Sequence, residues 1–291
     1  MKWPAMGYAR VESLDELWHA LETGGADAQI IAGGQSLLAT LAFRLSEPST
    51  LIDITRIAAL KGIAVRDGVL SIGALERHVD IGRSEVVRVA APMLAEAVPL
   101  IAHPAIRNRG TLGGSLALAD PAAEYPACAV ALGATVVIAS RKGMRRVSAE
   151  DFFRGLFETA LEPGEIVAAL EVPVAKASSR QAILEVTRRS GDYAMAGLAC
   201  ALEMARDGRV ESARLVYFGV GTKPISAVGT AAKLVGAPLG GETIAAAVAT
   251  LDAELDPPTD LHGGPDFKRQ LARVLTTRAL NRCLTSLEQA A

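Results

Sequence analysis

Ala32-Gly33-Gly34-Gln35-Ser36 and, far downstream, Thr111-Leu112-Gly113-Gly114-Ser115 leading into Ala119-Asp120-Pro121-Ala122-Ala123-Glu124 are the stretches on which the fold turns. Each Gly-Gly pair lets the backbone take positive φ and come close to a ligand. Each pair is followed by a hydroxyl residue and an apolar, helix-compatible run. Backbone N–H groups and a helix N-terminus then point at an anion such as phosphate. One such turn alone is equally well an ordinary strand-to-helix connection. Two of the same design, far apart in sequence, predict one ligand with two phosphates held from both sides.

The 291 residues suffice for two ordinary domains or one large one. Half are hydrophobic and 21% are charged, the balance of a globular protein. A net charge of -2, from 30 basic against 32 acidic residues, leaves no electrostatic footprint for nucleic acid. No apolar run approaches the roughly 20 residues that cross a bilayer. Met1-Lys2-Trp3-Pro4-Ala5 lacks the apolar core of a secretion signal, so a cytoplasmic location is expected. Cys128, Cys200 and Cys283 lie far apart without a C-x-x-C pair, and the four histidines show no helical ligand spacing. No metal site is expected. Redox chemistry in this chain would have to be carried by an organic cofactor.

The flanking pattern supplies the scaffold. Ser13-Leu14-Asp15-Glu16 is a capping box that predicts a helix to about Thr23. A strand at 29–32 delivers the first glycine turn, a helix follows over 37–45, and 51–54 is a strand. Arg66-Asp67-Gly68 predicts a hairpin between 63–65 and 69–72. Residues 84–101 read as helix broken near Pro92, and a further helix is expected from about Ala122 to Leu132, with Asp120 and Pro121 as its cap. Strands at 135–140 and 165–172 precede a short linker at 175–179. Beyond it, strands at 182–188, 199–205 and 212–220 and helices at 223–235, 242–251 and 266–287 predict an antiparallel sheet covered by helices.

At this resolution the motifs resemble a known family. The two glycine stretches, Ile106-Arg107-Asn108-Arg109-Gly110, Asp151-Phe152-Phe153-Arg154-Gly155, Thr159-Ala160-Leu161-Glu162-Pro163-Gly164-Glu165 and Arg188-Arg189-Ser190-Gly191-Asp192-Tyr193-Ala194 are similar, in order over nearly the whole chain, to the FAD-binding medium subunit of molybdenum hydroxylases. That group includes carbon monoxide dehydrogenase and xanthine dehydrogenase.

The resemblance implies an α+β fold. Residues 1–175 would form a two-subdomain FAD-binding domain of the vanillyl-alcohol-oxidase/MurB-like type, divided at about 56/57. Residues 176–291 would form a smaller α+β C-terminal domain. It also implies non-covalent FAD, clasped by Ala32, Gly33, Gly34, Gln35, Ser36 and Leu37 on one side. Thr111, Gly113, Gly114 and Ser115 would clasp it on the other. Ile101 and Ala102 would line the cofactor, Asp120 would lie near the flavin, Glu124 would meet the ribose and Leu161 the adenine. Asp192 and Tyr193 would lie near the isoalloxazine.

Molybdopterin and two-iron iron–sulfur clusters would reside in a large and a small partner subunit, in a dimer of heterotrimers. The flavin would pass electrons from the small subunit to an external acceptor, and no residue here would be catalytic on substrate. The sequence names neither substrate nor acceptor. Leu118, Ser115 and Gln35 depart from the His, Asn and His common in the family. No cysteine-bearing insertion is present, so the extra four-iron cluster of one branch is not expected. A free-standing flavin oxidase or reductase of the same fold is the alternative. Arg107 and Arg109 read either as solvated loop charges or as partners of carboxylates, and His78 and His103 as structural histidines.

Overall fold

Residues 3–288 are described by a computed structural model. The chain opens with β1 (Gly7–Arg10), helix α1 (Leu14–Thr23), β2 (Gln29–Ile31), α2 (Leu37–Ala42) and β3 (Thr50–Asp53). The strands form a parallel sheet in the order β1-β3-β2. The Ser13 hydroxyl accepts the Glu16 amide, capping α1 as the motif predicts, while the Glu16 carboxylate reaches the amide of Glu12, one residue before the cap. Helix α2 is three residues shorter than the apolar run suggests.

Next come the hairpin β4 (Ile63–Arg66) and β5 (Val69–Gly73), with Asp67 and Gly68 both at positive φ in its turn. Short helices follow: α3 (His78–Arg83), α4 (Glu85–Ala90), α5 (Pro92–Ala97), α6 (Pro104–Arg107), α7 (Leu112–Leu118) and α8 (Glu124–Ala131). Pro92 sits in the first turn of α5, where its missing N–H costs nothing, and so separates α4 from α5. The chain then returns through β6 (Thr135–Ser140), β7 (Gly143–Ser148), α9 (Ala149–Phe152), the small hairpin β8 (Phe153–Gly155) and β9 (Glu158–Thr159), and β10 (Ile166–Pro173). The resulting antiparallel sheet has the order β4-β5-β10-β6-β7.

The central strands β6 and β10 of this second sheet are buried on both faces. Along β6, Val136 and Ile138 enter the core beneath α4, α5, α7 and α8. Val137 and Ala139 enter the core that also holds Leu17 and Trp18 of α1. Alternate side chains of a strand point to opposite faces, so two apolar cores require a continuous apolar strand. Thr135-Val136-Val137-Ile138-Ala139-Ser140 has that composition.

The last part is an antiparallel sheet of β11 (Ser179–Thr187), β12 (Ala194–Met204), β13 (Val210–Phe218) and β14 (Ile225–Ser226), in that order. One face buries Leu198, Leu202, Leu215 and Tyr217 against α10 (Val228–Ala232), α11 (Gly241–Val248) and α12 (Pro265–Glu288). The other buries Ile183, Ala199, Val216 and Phe218 against the core that contains α8. Arg214 of β13 donates to the Val130 carbonyl at 3.2 Å, placing a cation at the C-terminal end of α8. The helix expected over 223–235 is reduced to α10. Pro224 biases the preceding residue towards extended backbone, and Ile225–Ser226 pairs with β13 instead. Among the described residues no helix is long and apolar enough to cross a membrane.

A buried polar contact between hydroxyls helps join the sheet to α12. The Tyr217 and Thr276 hydroxyls lie 2.5 Å apart, and Thr276 donates to the Ala272 carbonyl. Thr276→Val should lower stability by about 1–3 kcal/mol, because the Tyr217 hydroxyl is left buried without a partner. Adding Tyr217→Phe should recover part of that loss. Urea denaturation of the two single variants and the double variant tests this, and strictly additive losses would refute the coupling.

Candidate cofactor site

Strand β2 runs directly into the first glycine stretch. A Cβ on Gly33 would lie 2.3 Å from the Arg109 carbonyl oxygen and 2.9 Å from the Gly110 Cα. The parallel sheet therefore touches the segment leading to the second glycine stretch, backbone against backbone. Gly34 follows at φ +73°, and the Gln35 side-chain amide donates to the Gly33 carbonyl at 2.8 Å, fixing the turn. The backbone N–H groups of Gly33, Gly34, Gln35, Ser36 and Leu37 donate to no acceptor among the described residues. The Ser36 hydroxyl makes no capping bond. Five consecutive unspent donors form a ready anion cradle.

The second stretch is built differently. Gly113 and Gly114 do not form a turn; they lie in the first turn of α7. The amide of Leu112 donates to Glu76 O at 2.9 Å, that of Gly113 to Ala74 O at 2.8 Å and that of Ser115 to Thr111 O at 3.1 Å. The Gly114 amide goes to the Thr111 hydroxyl, the N-cap of the helix. Gly113 is a packing glycine, since its Cβ would lie 2.5 Å from the Ala74 Cβ. What this side still offers a ligand is the exposed backbone of Gly114 and the Ser115 hydroxyl, with the Thr111 hydroxyl proton.

The wall at Ile101 and Ala102 is stapled by Arg107, whose guanidinium donates to the carbonyls of Pro99, Ile101 and Ala102. Arg107 is thus a loop-holding residue. Gly191, at φ +82°, presses on this wall: a Cβ there would lie 2.5 Å from the His103 ring and 2.9 Å from the Ala102 carbonyl. Asp192 follows, its amide donating to Arg189 O, and then Tyr193, 67% exposed. Leu161 is half-buried, with its amide on the Thr159 hydroxyl.

Asp120 does not cap α8. Its carboxylate accepts the Ala122 amide at 2.9 Å in a local turn, and the helix begins at Glu124, with Ala123 at the N-cap. The Pro121 carbonyl accepts the Gly219 amide at 2.8 Å, tying this loop to the end of β13. Glu124 is 8% exposed. Burial, with Asp120 beside it, pushes its carboxyl up to about 7, while Asp120 is itself raised by burial. Glu185 of β11 is pushed up to about 8 by burial and by Glu124, and its Oε2 is buried without a partner. Tyr193 is raised by partial burial and by Asp120 and Glu124.

Beneath this cluster, the His78 and Tyr125 rings lie 5.2 Å apart. The His78 Nδ1 and the Tyr125 hydroxyl are both buried without partners, and burial lowers His78 to about 4.

The structure thus brings the first glycine stretch, the loop to the second, the 101–103 wall and the Gly191–Tyr193 segment together through direct contacts. Asp120, Glu124 and Tyr193 share one electrostatic neighbourhood. Sequence reasoning missed Glu185, whose one signal is a lone acid in the apolar run Ala182-Ile183-Leu184-Glu185-Val186.

The chain matches known proteins over nearly its whole length. Residues 4–175 match the family described as the FAD binding domain in molybdopterin dehydrogenase, and residues 181–283 the CO dehydrogenase flavoprotein C-terminal domain. The chain is 38% identical to the 6-hydroxypseudooxynicotine dehydrogenase complex subunit alpha of Paenarthrobacter nicotinovorans, over 98% of this chain and 96% of that one. Among solved structures, carbon monoxide dehydrogenase from Hydrogenophaga pseudoflava, in a form lacking the Mo-pyranopterin moiety, superimposes with a TM-score of 0.94 at 35% identity, covering 98% of this chain and 99% of that one. Quinoline 2-oxidoreductase from Pseudomonas putida 86 gives 0.93 at 39% identity, covering 98% and 99%.

The raised carboxyls have a consequence for stability. Glu185 holds its proton up to about 8 when folded, against an ordinary value of 4.5, so between these limits the folded chain binds protons that the unfolded chain has released. Glu124, raised to about 7, acts in the same direction. Stability of the cofactor-free chain therefore falls as pH rises through this window. Glu185→Gln removes one contributor. Thermal melts should show variant and wild type alike near pH 4.5 and the variant more stable at pH 8; equal midpoints at pH 8 would contradict the assignment.

Proposed function

Since the chain belongs to the molybdopterin-dehydrogenase FAD-binding family and is a medium, FAD-binding subunit of the carbon monoxide dehydrogenase type, we propose that it is the electron-exit module of a molybdenum hydroxylase. On this reading it takes electrons from two-iron clusters of a small subunit and passes them to an external acceptor, while a large molybdopterin subunit acts on the substrate. The assembly is a dimer of such heterotrimers, located in the cytoplasm.

The observation that carries the reading is the row of unspent amides at residues 33–37, held against the Arg109–Gly110 backbone. This donor set suits the pyrophosphate of FAD. Bound FAD supplies a carrier that accepts electrons one or two at a time. The residues of this chain place and shield it. The amides of Gly33 to Leu37 neutralise phosphate oxygens, with the hydroxyls of Ser36, Thr111 and Ser115 as added donors. Ile101 and Ala102, fixed by Arg107, line the cofactor. Glu124 accepts from ribose hydroxyls, Leu161 covers the adenine, and Asp192 and Tyr193 lie at the isoalloxazine, near Asp120. The cofactor is held without a covalent link.

Two measurements test this. The purified chain should show a flavin absorption spectrum and release FAD, not FMN, on denaturation. Gly33→Ala should abolish retention, because its methyl would collide with a backbone carbonyl 2.3 Å away and push the cradle off the second segment. A circular dichroism spectrum close to that of wild type would show that the fold survives. FAD retained at wild-type occupancy in Gly33→Ala would overturn the cradle. Co-expression with large molybdopterin and small iron–sulfur subunits should yield a complex containing all three chains, and recovery of this chain alone would argue against the electron-exit role.

A further inference from the structure

Lys268 of α12 is 1% exposed, although a lysine is seldom wholly buried unless its ammonium is paired. That ammonium donates to the Asp260 carboxylate at 2.5 Å and to the Gly219 carbonyl at 3.0 Å. Asp260 is itself aimed, since its other oxygen accepts the His262 amide at 2.8 Å within the short bridge between Asp260 and Gly263. Apolar packing and the Tyr217–Thr276 contact already hold α12 against the sheet. A buried ion pair is often no more stabilising than well-packed apolar side chains, so stability alone gives no reason for a lysine here.

The residue that Lys268 holds is a junction. Gly219 follows β13 at φ +74°, and both of its peptide groups are engaged by remote partners. The amide donates to the Pro121 carbonyl at 2.8 Å and the carbonyl accepts from Lys268. A Cβ on Gly219 would also lie 2.6 Å from the Ala194 carbonyl oxygen, so its backbone packs directly on the residue after Tyr193. Pro121 lies in the loop between Asp120 and Glu124. One glycine therefore touches the segment assigned above to the ribose and the segment assigned to the isoalloxazine. Glycine is free to change its backbone dihedrals. Its hold on Pro121 and its seat on Ala194 are rigid only when something outside the residue fixes its carbonyl, and Lys268 does so.

We propose that Lys268 is a positioning residue for the cofactor: acting through Gly219, it fixes the Asp120–Glu124 loop and the Asp192–Tyr193 segment relative to each other. The inference rests on the FAD-binding reading. Loss of the ammonium loosens two walls of the site while the apolar core beneath α12 stays in place.

The test is the FAD dissociation constant of the full chain, stripped of flavin and titrated by fluorescence at a temperature where far-ultraviolet circular dichroism shows each variant folded. Lys268→Met keeps the apolar stem and removes the donor. It should bind FAD at least about tenfold more weakly, the scale of one hydrogen bond from a charged group. The flavin it binds at saturation should show a visible circular dichroism spectrum different from that in wild type. Thr276→Val is the control, because it loosens the same helix from the same sheet without touching Gly219. It should bind within about twofold of wild type. Asp260→Ala, at an exposed residue, removes the group that aims Lys268 and should weaken binding about threefold. Asp260→Asn still accepts from the ammonium and should restore wild-type binding. The Asp260 pair decides the matter if Lys268→Met does not fold. Wild-type affinity in Lys268→Met or in Asp260→Ala overturns the proposal. Equal weakening in Thr276→Val and Lys268→Met shows a merely structural role and also overturns it. If wild type binds no FAD, the cofactor reading itself has failed.

Discussion

The approach of Gly33 to the Arg109–Gly110 backbone is the constraint on which the site depends. It joins the end of a three-stranded parallel sheet to the loop between α6 and α7 at a distance that no side chain tolerates. With that loop held there, the unspent amides from Gly33 to Leu37 follow the point of contact. The asymmetry across that contact has a direct cause. On the second side Thr111 caps α7 and the Ala74 and Glu76 carbonyls take the remaining amides, so that side is already internally bonded. The first side supplies the charge-compensating donors, and the second supplies a rigid surface and hydroxyls.

The C-terminal part is a third wall of the same site. Gly191 packs on the 101–103 loop, Glu185 reaches Glu124 electrostatically, and the Gly219 amide holds the Pro121 carbonyl. Arg214 meets the far end of α8. The helix that begins with Glu124 is thereby fixed at both ends by β13 or its continuation. The acidic residue at its start has little freedom to move towards water, which is why burial dominates its proton affinity.

The long elements were legible in the sequence because their patterns are unambiguous. The capping box at Ser13, the hairpin at Asp67-Gly68 and the apolar run of β6 each correspond to one structure. The short elements were not. Strands β1, β8, β9 and β14 have two to four residues, too few to display a period, and take their form from the neighbours they pair with. The two Gly-Gly pairs show a deeper limit. They are locally alike, yet one is a turn with free amides and the other the first turn of a helix, because Glu76 and Ala74, remote in sequence, take the amides of Leu112 and Gly113, and Thr111 caps Gly114. Glu185 was invisible for the same reason, since a lone acid in a strand carries no motif. Asp120-Pro121 read as a helix cap, but the Asp120 carboxylate found the Ala122 amide first.

Lys268 gives the fold an order of assembly. Its buried ammonium holds the Gly219 carbonyl at 3.0 Å and the Asp260 carboxylate at 2.5 Å, and Gly219 in turn holds the loop that precedes Glu124. Lys268 belongs to α12, which is made after both glycine stretches. The Lys268–Gly219–Pro121 tie therefore cannot form until α12 itself has been made. A nascent chain short of α12 would carry the amides of Gly33 to Leu37 and lack this tie on the loop before Glu124.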